Sequence, residues 1–161
     1  MRVLLVSDTH ATLHSEVEAL AAKADLVLHA GDVGSAEVLE RLGPVRAVSG
    51  NNDTAAKWRG ATAKLHALDE VLTVDLPGGS IVVEHGHRAN PAGRRHERLR
   101  ARHPDAQLIV YGHSHRLVVD QDATPWVVNP GAAGRVRTYG GASCVLLHAS
   151  ERRWTLTAYR F

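Results

Sequence analysis

Gly112-His113-Ser114-His115 sets two imidazoles one residue apart, directly after the largely apolar run at residues 107–111. The run has the length of a buried strand, so both rings fall just past a strand's carboxyl end. That rim is where open α/β sheets build their sites. With one residue between them, the rings can point to different sides of one spot, as two neighbouring metal ions need. The pair alone is a weak signal in a chain with 11 histidines. A single strand-end imidazole is commonly just a satisfied polar residue.

The same placement recurs along the chain. Asp8 and His10 follow the run at residues 2–7, Asp32 follows 25–30, Asn51 follows 45–49 and His85 follows 80–84. With His113 and His115 these make seven carboxylate, imidazole and amide donors without a thiolate. Taken singly, each reads as a turn, cap or sheet-edge residue. Seven accidents at strand ends are a poorer account than one shared rim. A mixed nitrogen and oxygen set suits manganese, iron, zinc, cobalt or nickel better than a structural zinc. The donors are too many for one ion and suit two, roughly 3.5–4 Å apart, sharing one carboxylate.

The elements that must position these residues follow from the apolar pattern. Strands are expected at 2–7, 25–30 and 45–49. Between them Leu13, Val17, Leu20 and Ala24 repeat at helical spacing. Ser35 caps a second helix whose inner face is Val38, Leu39 and Leu42, and Gly43-Pro44 stops it. This β-α-β-α-β order implies a parallel sheet. Residues 71–76 and 80–84 then read as a hairpin about Pro77-Gly78-Gly79. An arginine-rich helix is expected over 92–103. After the strand at 107–111, residues 116–120, 126–128, 143–148 and 154–159 read as strands in antiparallel succession. Residues 54–70 carry no periodic pattern; Trp58 and Leu65 fit either a loop over the site or a short helix. Two facing sheets with helices outside fit the strand count in 161 residues. The expectation is one domain, 1–161, of α/β class.

Composition narrows the function classes. The apolar fraction is 44% and the formal charge only +2, which does not argue for nucleic acid. Arg94, Arg95, Arg98, Arg100 and Arg102 read as a solvated helix face, with an anion-steering patch as the other reading. Cys144 lies in an apolar run and excludes an intramolecular disulfide, being the sole cysteine. No apolar stretch has the length of a membrane span, and residues 1–6 are too short for a signal peptide. A cytoplasmic location without membrane association is the expectation.

The strand-end motifs Asp8-Thr9-His10, Gly31-Asp32, Gly50-Asn51-Asn52-Asp53, His85-Gly86-His87 and Gly112-His113-Ser114-His115 resemble, in order, those of calcineurin-like metallophosphoesterases. Their spacing is similar to the compact prokaryotic phosphodiesterase branch, which also contains the phosphoesterase-like retromer subunit. Asn129-Pro130-Gly131 resembles a further element of that family. The resemblance implies a four-layer α-β-β-α sandwich of two mixed β-sheets flanked by helices. It implies Asp8, His10 and His115 on one metal, Asn51, His85 and His113 on the other, and Asp32 bridging them. It also implies in-line attack on phosphorus by a metal-bridging hydroxide. Manganese is the first expectation for the two divalent ions, with iron, nickel, cobalt or zinc as alternatives.

The chain departs from the family pattern in three places. Many family phosphatases have a histidine at the position of Asn52, thought to help the leaving group depart; Asn52 is no proton donor. This favours diesters or activated esters. His87 either compensates or is an ordinary polar residue. Ala132 stands where a serine is usual and Ala11 where a glycine is usual. Asp32, Asn51, Asn52 and His87 are therefore the candidate catalytic residues. Arg135 and Arg137, in the glycine-rich stretch 132–141, are either surface residues or phosphate contacts.

The expected substrate is a small phosphodiester or nucleotide-like molecule. One rival is a protein-binding scaffold of the retromer-subunit type; that branch has lost the histidine corresponding to His10, which this chain keeps. The other rival is a nuclease. The short chain and its 4% aromatic content leave little for base stacking, so nucleic acid is the less favoured partner. The late apolar strands leave a homo-oligomer open.

Overall fold

The computed structural model describes all 161 residues. Its first sheet is built on β1 (Arg2–Val6), β2 (Leu26–His29) and β3 (Val45–Ala47), mutually parallel and linked by α1 (Ser15–Ala21) and α2 (Ala36–Arg41). Parallel strands joined by helices put every carboxyl end on one rim, which is where Asp8, Asp32 and Asn51 follow. The Ser35 Oγ accepts from the Val38 N–H at 3.3 Å, capping α2 as expected. Such a cap contributes about 1 kcal/mol.

The second half begins with α3 (Thr62–His66), then the hairpin β4 (Val71–Leu76) and β5 (Gly79–Glu84). A short 3₁₀ turn at Ala92–Arg94 leads into α4 (Arg95–Arg102). β6 (Leu108–Val110), β7 (Leu117–Asp120), β8 (Trp126–Pro130), β9 (Ser143–Ala149) and β10 (Trp154–Arg160) complete the chain. The late strands are not one antiparallel succession. β7 pairs antiparallel with β8, but β8 lies parallel to β6, and the chain then crosses to the first sheet for β9 and β10. The sheets are ordered β10-β9-β1-β2-β3 and β4-β5-β6-β8-β7, both mixed.

Alternation along the strands sets the layers, because successive side chains leave a strand on opposite faces. Val3 and Leu5 face Ile81, Val83, Leu108 and Val110 between the sheets. Leu4 and Val6 face outward onto Val17 of α1 and Val38 of α2. On the other flank Val82 and Ile109 pack against Leu99 of α4. The four-layer α-β-β-α order follows. Leu5, Leu28 and Leu108 are fully buried, each worth roughly 1.5–3 kcal/mol.

Packing resolves two readings that the sequence left open. Residues 54–70 contain the short helix α3, and before it Lys57 and Arg59 border a pocket shared with His10 and Asp32. Trp58 is buried in the helix–sheet layer, Leu65 of α3 packs against the same cluster, and the Trp58 indole donates to the Ala61 carbonyl at 3.1 Å. The arginines of α4 are not uniformly solvated. Arg95 is buried, Arg100 pairs with Asp120 at 2.8 Å, and Arg102 holds the buried Glu84 at 2.6 Å. The long arginine stem lets one helix face cover apolar surface while its charged end reaches a carboxylate. Cys144 is buried and its thiol is pushed up to about 12 by burial, so it is inert. No helix is long and apolar enough to cross a membrane.

Candidate metal centre

The carboxyl ends of the two sheets meet face to face. The His113 N–H donates to Asp8 Oδ1 at 3.2 Å, and His85 Nδ1 donates to the Ala30 carbonyl at 2.7 Å. Two glycines permit close contacts at this rim, Gly112 between the sheets and Gly50 between neighbouring loops of the first. A Cβ on Gly112 would lie 2.8 Å from Asp8 Oδ2, and one on Gly50 only 2.1 Å from Asp32 Oδ1. Neither position has room for a side chain.

The backbone around the rim is strained. Asp8, His10, Asp32, His113 and His115 are all left-handed, with φ between 46° and 68°. Such non-glycine conformations cost about 1–3 kcal/mol each and persist where neighbours over-determine them. Here those neighbours are bonds between the strand-end loops: Asp8 N–H to Gly31 O at 3.0 Å and His10 N–H to Asp32 O at 2.9 Å. Asp53 ties the same loops by accepting from the N–H groups of Val33, Gly34 and Gly50.

All seven strand-end donors come together. Donor atoms of Asp8, His10, Asp32 and His115 lie within 4.8 Å of one another. His10 Nε2 and His115 Nε2 are 3.1 Å apart, and His115 Nε2 is 3.4 Å from Asp8 Oδ1. The Asn51 Oδ1 sits 3.1 Å from both His85 Nε2 and His113 Nδ1. Asp32 Oδ2 lies between the groups, 3.6 Å from His10 Nε2 and 3.4 Å from His85 Nε2.

The candidate proton groups separate. Asn52 donates its backbone N–H and its Nδ2–H to the two Asp32 oxygens at 2.8 and 2.7 Å, and its Oδ1 accepts from Lys57 at 2.6 Å. It therefore orients the central carboxylate. His87 stands apart, its ring 5.5 Å from His85 and 6.3 Å from His113, with a buried Nδ1 that has no partner. Two cavities meet at Asn51. One of about 510 Å³ is lined by His10, Asp32, Asn52, His113 and His115. The other, about 480 Å³, is lined by His85, His87, Glu70, Glu84 and Arg102.

Electrostatics at the rim follow burial and charge pairing. Burial pushes Asp8 up to about 7, against the His85 charge and the Ser7 hydroxyl. Burial also works to raise Asp32, but the His85 hydrogen bond and charge, with the Asn52 N–H groups, hold it below the usual carboxylate range. For His85 burial disfavours the cation, yet Asp32 and Asp8 outweigh it and the imidazole is raised. Burial and the His85 charge bring His113 down to about 4. Burial also lowers His10, His115 and His87.

This donor set fits divalent metal ions. Buried carboxylates and neutral imidazoles converge, their outer nitrogens are fixed by carbonyls at His85 and His115, and a cation already stabilises Asp32. His85 and Asp8 are both raised by their surroundings, and any proton they hold leaves on loading.

Sequence reasoning missed Lys57, Tyr139 and the work of Asp53. Lys57 has no local signal; its role depends on Asn52. Tyr139 lines the larger cavity under a stacked Arg116, 4.4 Å from its ring centre. Arg137 reaches His115, whereas Arg135 is absent from the cavity walls.

Comparison with known proteins agrees with the geometry. Residues 1–152 match the model of the calcineurin-like phosphoesterase superfamily domain. The chain is 32% identical over 169 residues to the probable metallophosphoesterase YsnB of Bacillus subtilis, covering 99% of this chain and 90% of that protein. It is 23% identical over 143 residues to the phosphodiesterase MJ0936 of Methanocaldococcus jannaschii, covering 81% and 83%. A crystal structure of a Vps29 single mutant from Entamoeba histolytica superposes with a TM-score of 0.82 at 22% identity, covering 99% of this chain and 92% of that one. That last likeness concerns the fold. The family match across nearly the whole length makes this chain a member of the calcineurin-like phosphoesterase superfamily.

Proposed function

We propose that this protein is a dinuclear-metal-dependent phosphodiesterase acting on small diesters. The supporting observation is the position of Asp32 Oδ2 between His10 and His85, each belonging to a separate donor group. In this reading Asp8, His10 and His115 hold one ion, Asn51, His85 and His113 the other, and Asp32 both. Manganese is the first expectation, with iron, nickel, cobalt or zinc as alternatives. The chemistry that two divalent ions supply when bound is a lowered water pKa and neutralised phosphoryl oxygens.

The chain's own residues do the rest. Asn52 and the backbone of its loop fix both Asp32 oxygens, so the central carboxylate cannot turn away. The Val136 and Ala30 carbonyls set the ring orientations of His115 and His85. Asn51 divides the two cavities, so a diester centred there has room for an arm on each side. Asn52 supplies no proton to a leaving oxygen. We assign that role to His87, on the other side of Asn51, and activated esters need it least.

Protein binding on the same fold is the second reading, favoured by the likeness to Vps29. The complete donor set, with the His10 ring stacked 5.0 Å from His115, supports the enzyme instead. The test is to strip the protein with chelator, reload it with single metals, and assay diesters, monoesters and cyclic nucleotides. Hydrolysis of aryl diesters, restored best by manganese and abolished by chelator, is expected. No turnover with any metal would leave the scaffold reading standing.

A further inference from the structure

His115 uses both ring nitrogens. Nδ1 donates to the Val136 carbonyl oxygen at 2.8 Å, so Nε2 presents its lone pair. Arg137 donates an N–H to that lone pair across 3.1 Å. The same Nε2 faces Asp8 Oδ1 at 3.4 Å and His10 Nε2 at 3.1 Å, inside the donor cluster assigned above to one ion. His10 belongs to that ion's own donor set, so of the neighbours on this nitrogen only the Arg137 guanidinium is a cation that a metal ion must displace.

The loop carrying Arg137 is fixed where it meets His115. Val136 is bonded to the ring, and the Tyr139 ring lies under Arg116, the residue after His115. Arg137 itself is exposed. Release of His115 is therefore a side-chain rotation with the loop in place. Arg137 is also the sole arginine or lysine lining the 510 Å³ cavity. A guanidinium beside a dication is repelled unless an anion lies between them, and its planar fork suits a phosphoryl group.

We propose that Arg137 exchanges partners: it occupies His115 in the metal-free protein, yields that nitrogen to the ion, and then clamps the substrate phosphoryl group against the centre. The proposal rests on the metal reading of the site. It predicts opposite signs for two equilibria, since Arg137 opposes metal alone and favours metal together with anion.

The test needs no turnover. Manganese binding to chelator-stripped wild type, Arg137→Ala and Arg137→Met is measured by calorimetry, with and without inorganic phosphate. Without phosphate both variants should bind the ion roughly fivefold or more tighter than wild type. Phosphate should tighten manganese binding in wild type, and in the variants that gain should shrink by a similar factor. Variants that bind the ion no tighter than wild type, or keep the full phosphate gain, overturn the exchange while leaving the metal centre intact. A wild type that binds no ion overturns the metal reading and this inference together.

Discussion

On one side of Asp32 lie Asp8, His10 and His115; on the other lie Asn51, His85 and His113. The first group brings its own carboxylate, and all three of its backbones are left-handed. Asp8 and His115 are buried. The second group has an amide in place of a carboxylate, an exposed Asn51 and a half-buried His113. Its buried member, His85, is raised by Asp32 and Asp8 against the effect of burial. The added carboxylate and most of the backbone strain thus lie in the first group, and access lies in the second. A dication gains most where negative charge is buried and fixed, while a substrate arm needs the open side. We expect the Asp8 group to bind its ion tighter, and the Asn51 group to sit where both cavities receive the diester.

The largest effect should come from removing what the two groups share. Asp32→Asn is expected to lose both ions and to lower diester hydrolysis by more than about 10²-fold. Elemental analysis after gel filtration reads this directly; two retained ions would end the idea of a shared carboxylate.

Next, single members should separate the halves. Asp8→Asn is expected to retain one ion in the Asn51 group, and Asn51→Ala one ion in the Asp8 group. The ion kept by Asn51→Ala should be the tighter of the two in a chelator competition. If either substitution releases both ions together, the halves do not bind independently.

A smaller effect distinguishes the halves without metal. Burial raises Asp8 to about 7 from an ordinary value of 3.8. Between those values the folded chain holds a proton that the unfolded chain has lost. The Asp8 contribution to stability is therefore fully present below the unfolded value and is lost as pH rises towards about 7. In chelated protein, Asp8→Asn should match wild type near pH 4, to order of magnitude, and gain on it by up to a few kcal/mol near pH 8. Denaturant melts at several pH values measure the difference, and a constant difference would show that Asp8 is not held protonated.

The smallest expected change concerns the leaving group. Asn52 lines the cavity of the Asp8 side, and His87 lines the other. In a plot of log rate against leaving-group pKa, wild type should be steeper than Asn52→His, with poor leaving groups gaining roughly tenfold. Equal slopes would mean that protonation comes from the His87 side or does not limit the rate. A steeper plot for His87→Asn would select the first of these.

How much of this was legible beforehand depends on the range of the interaction. Residues 2–7 and 107–111 read as strands because apolar runs of that length between turn residues have few other uses, and alternation shows which face is inward. Ser35 reads as a cap because its hydroxyl bonds a backbone group three residues on. Placing Asp8, Asp32, Asn51, His85, His113 and His115 at strand ends required no more than this, and parallel linkage gathers strand ends on one rim. These are local consequences of backbone hydrogen-bond geometry, so the sequence alone determined them. It did not determine that Arg137 meets His115, that Asn52 turns its amide to Asp32, or that His87 faces a different cavity from His10. Nor did it separate the arginines of α4 that anchor Asp120 and Glu84 from those that stay in water. Each such contact joins loops or elements whose approach is set by how two sheets pack, through left-handed backbones and glycines such as Gly50 that no periodic pattern marks. Only the tertiary structure decided them, because the side chains that compete for one imidazole or one carboxylate are brought within reach by the sandwich as a whole.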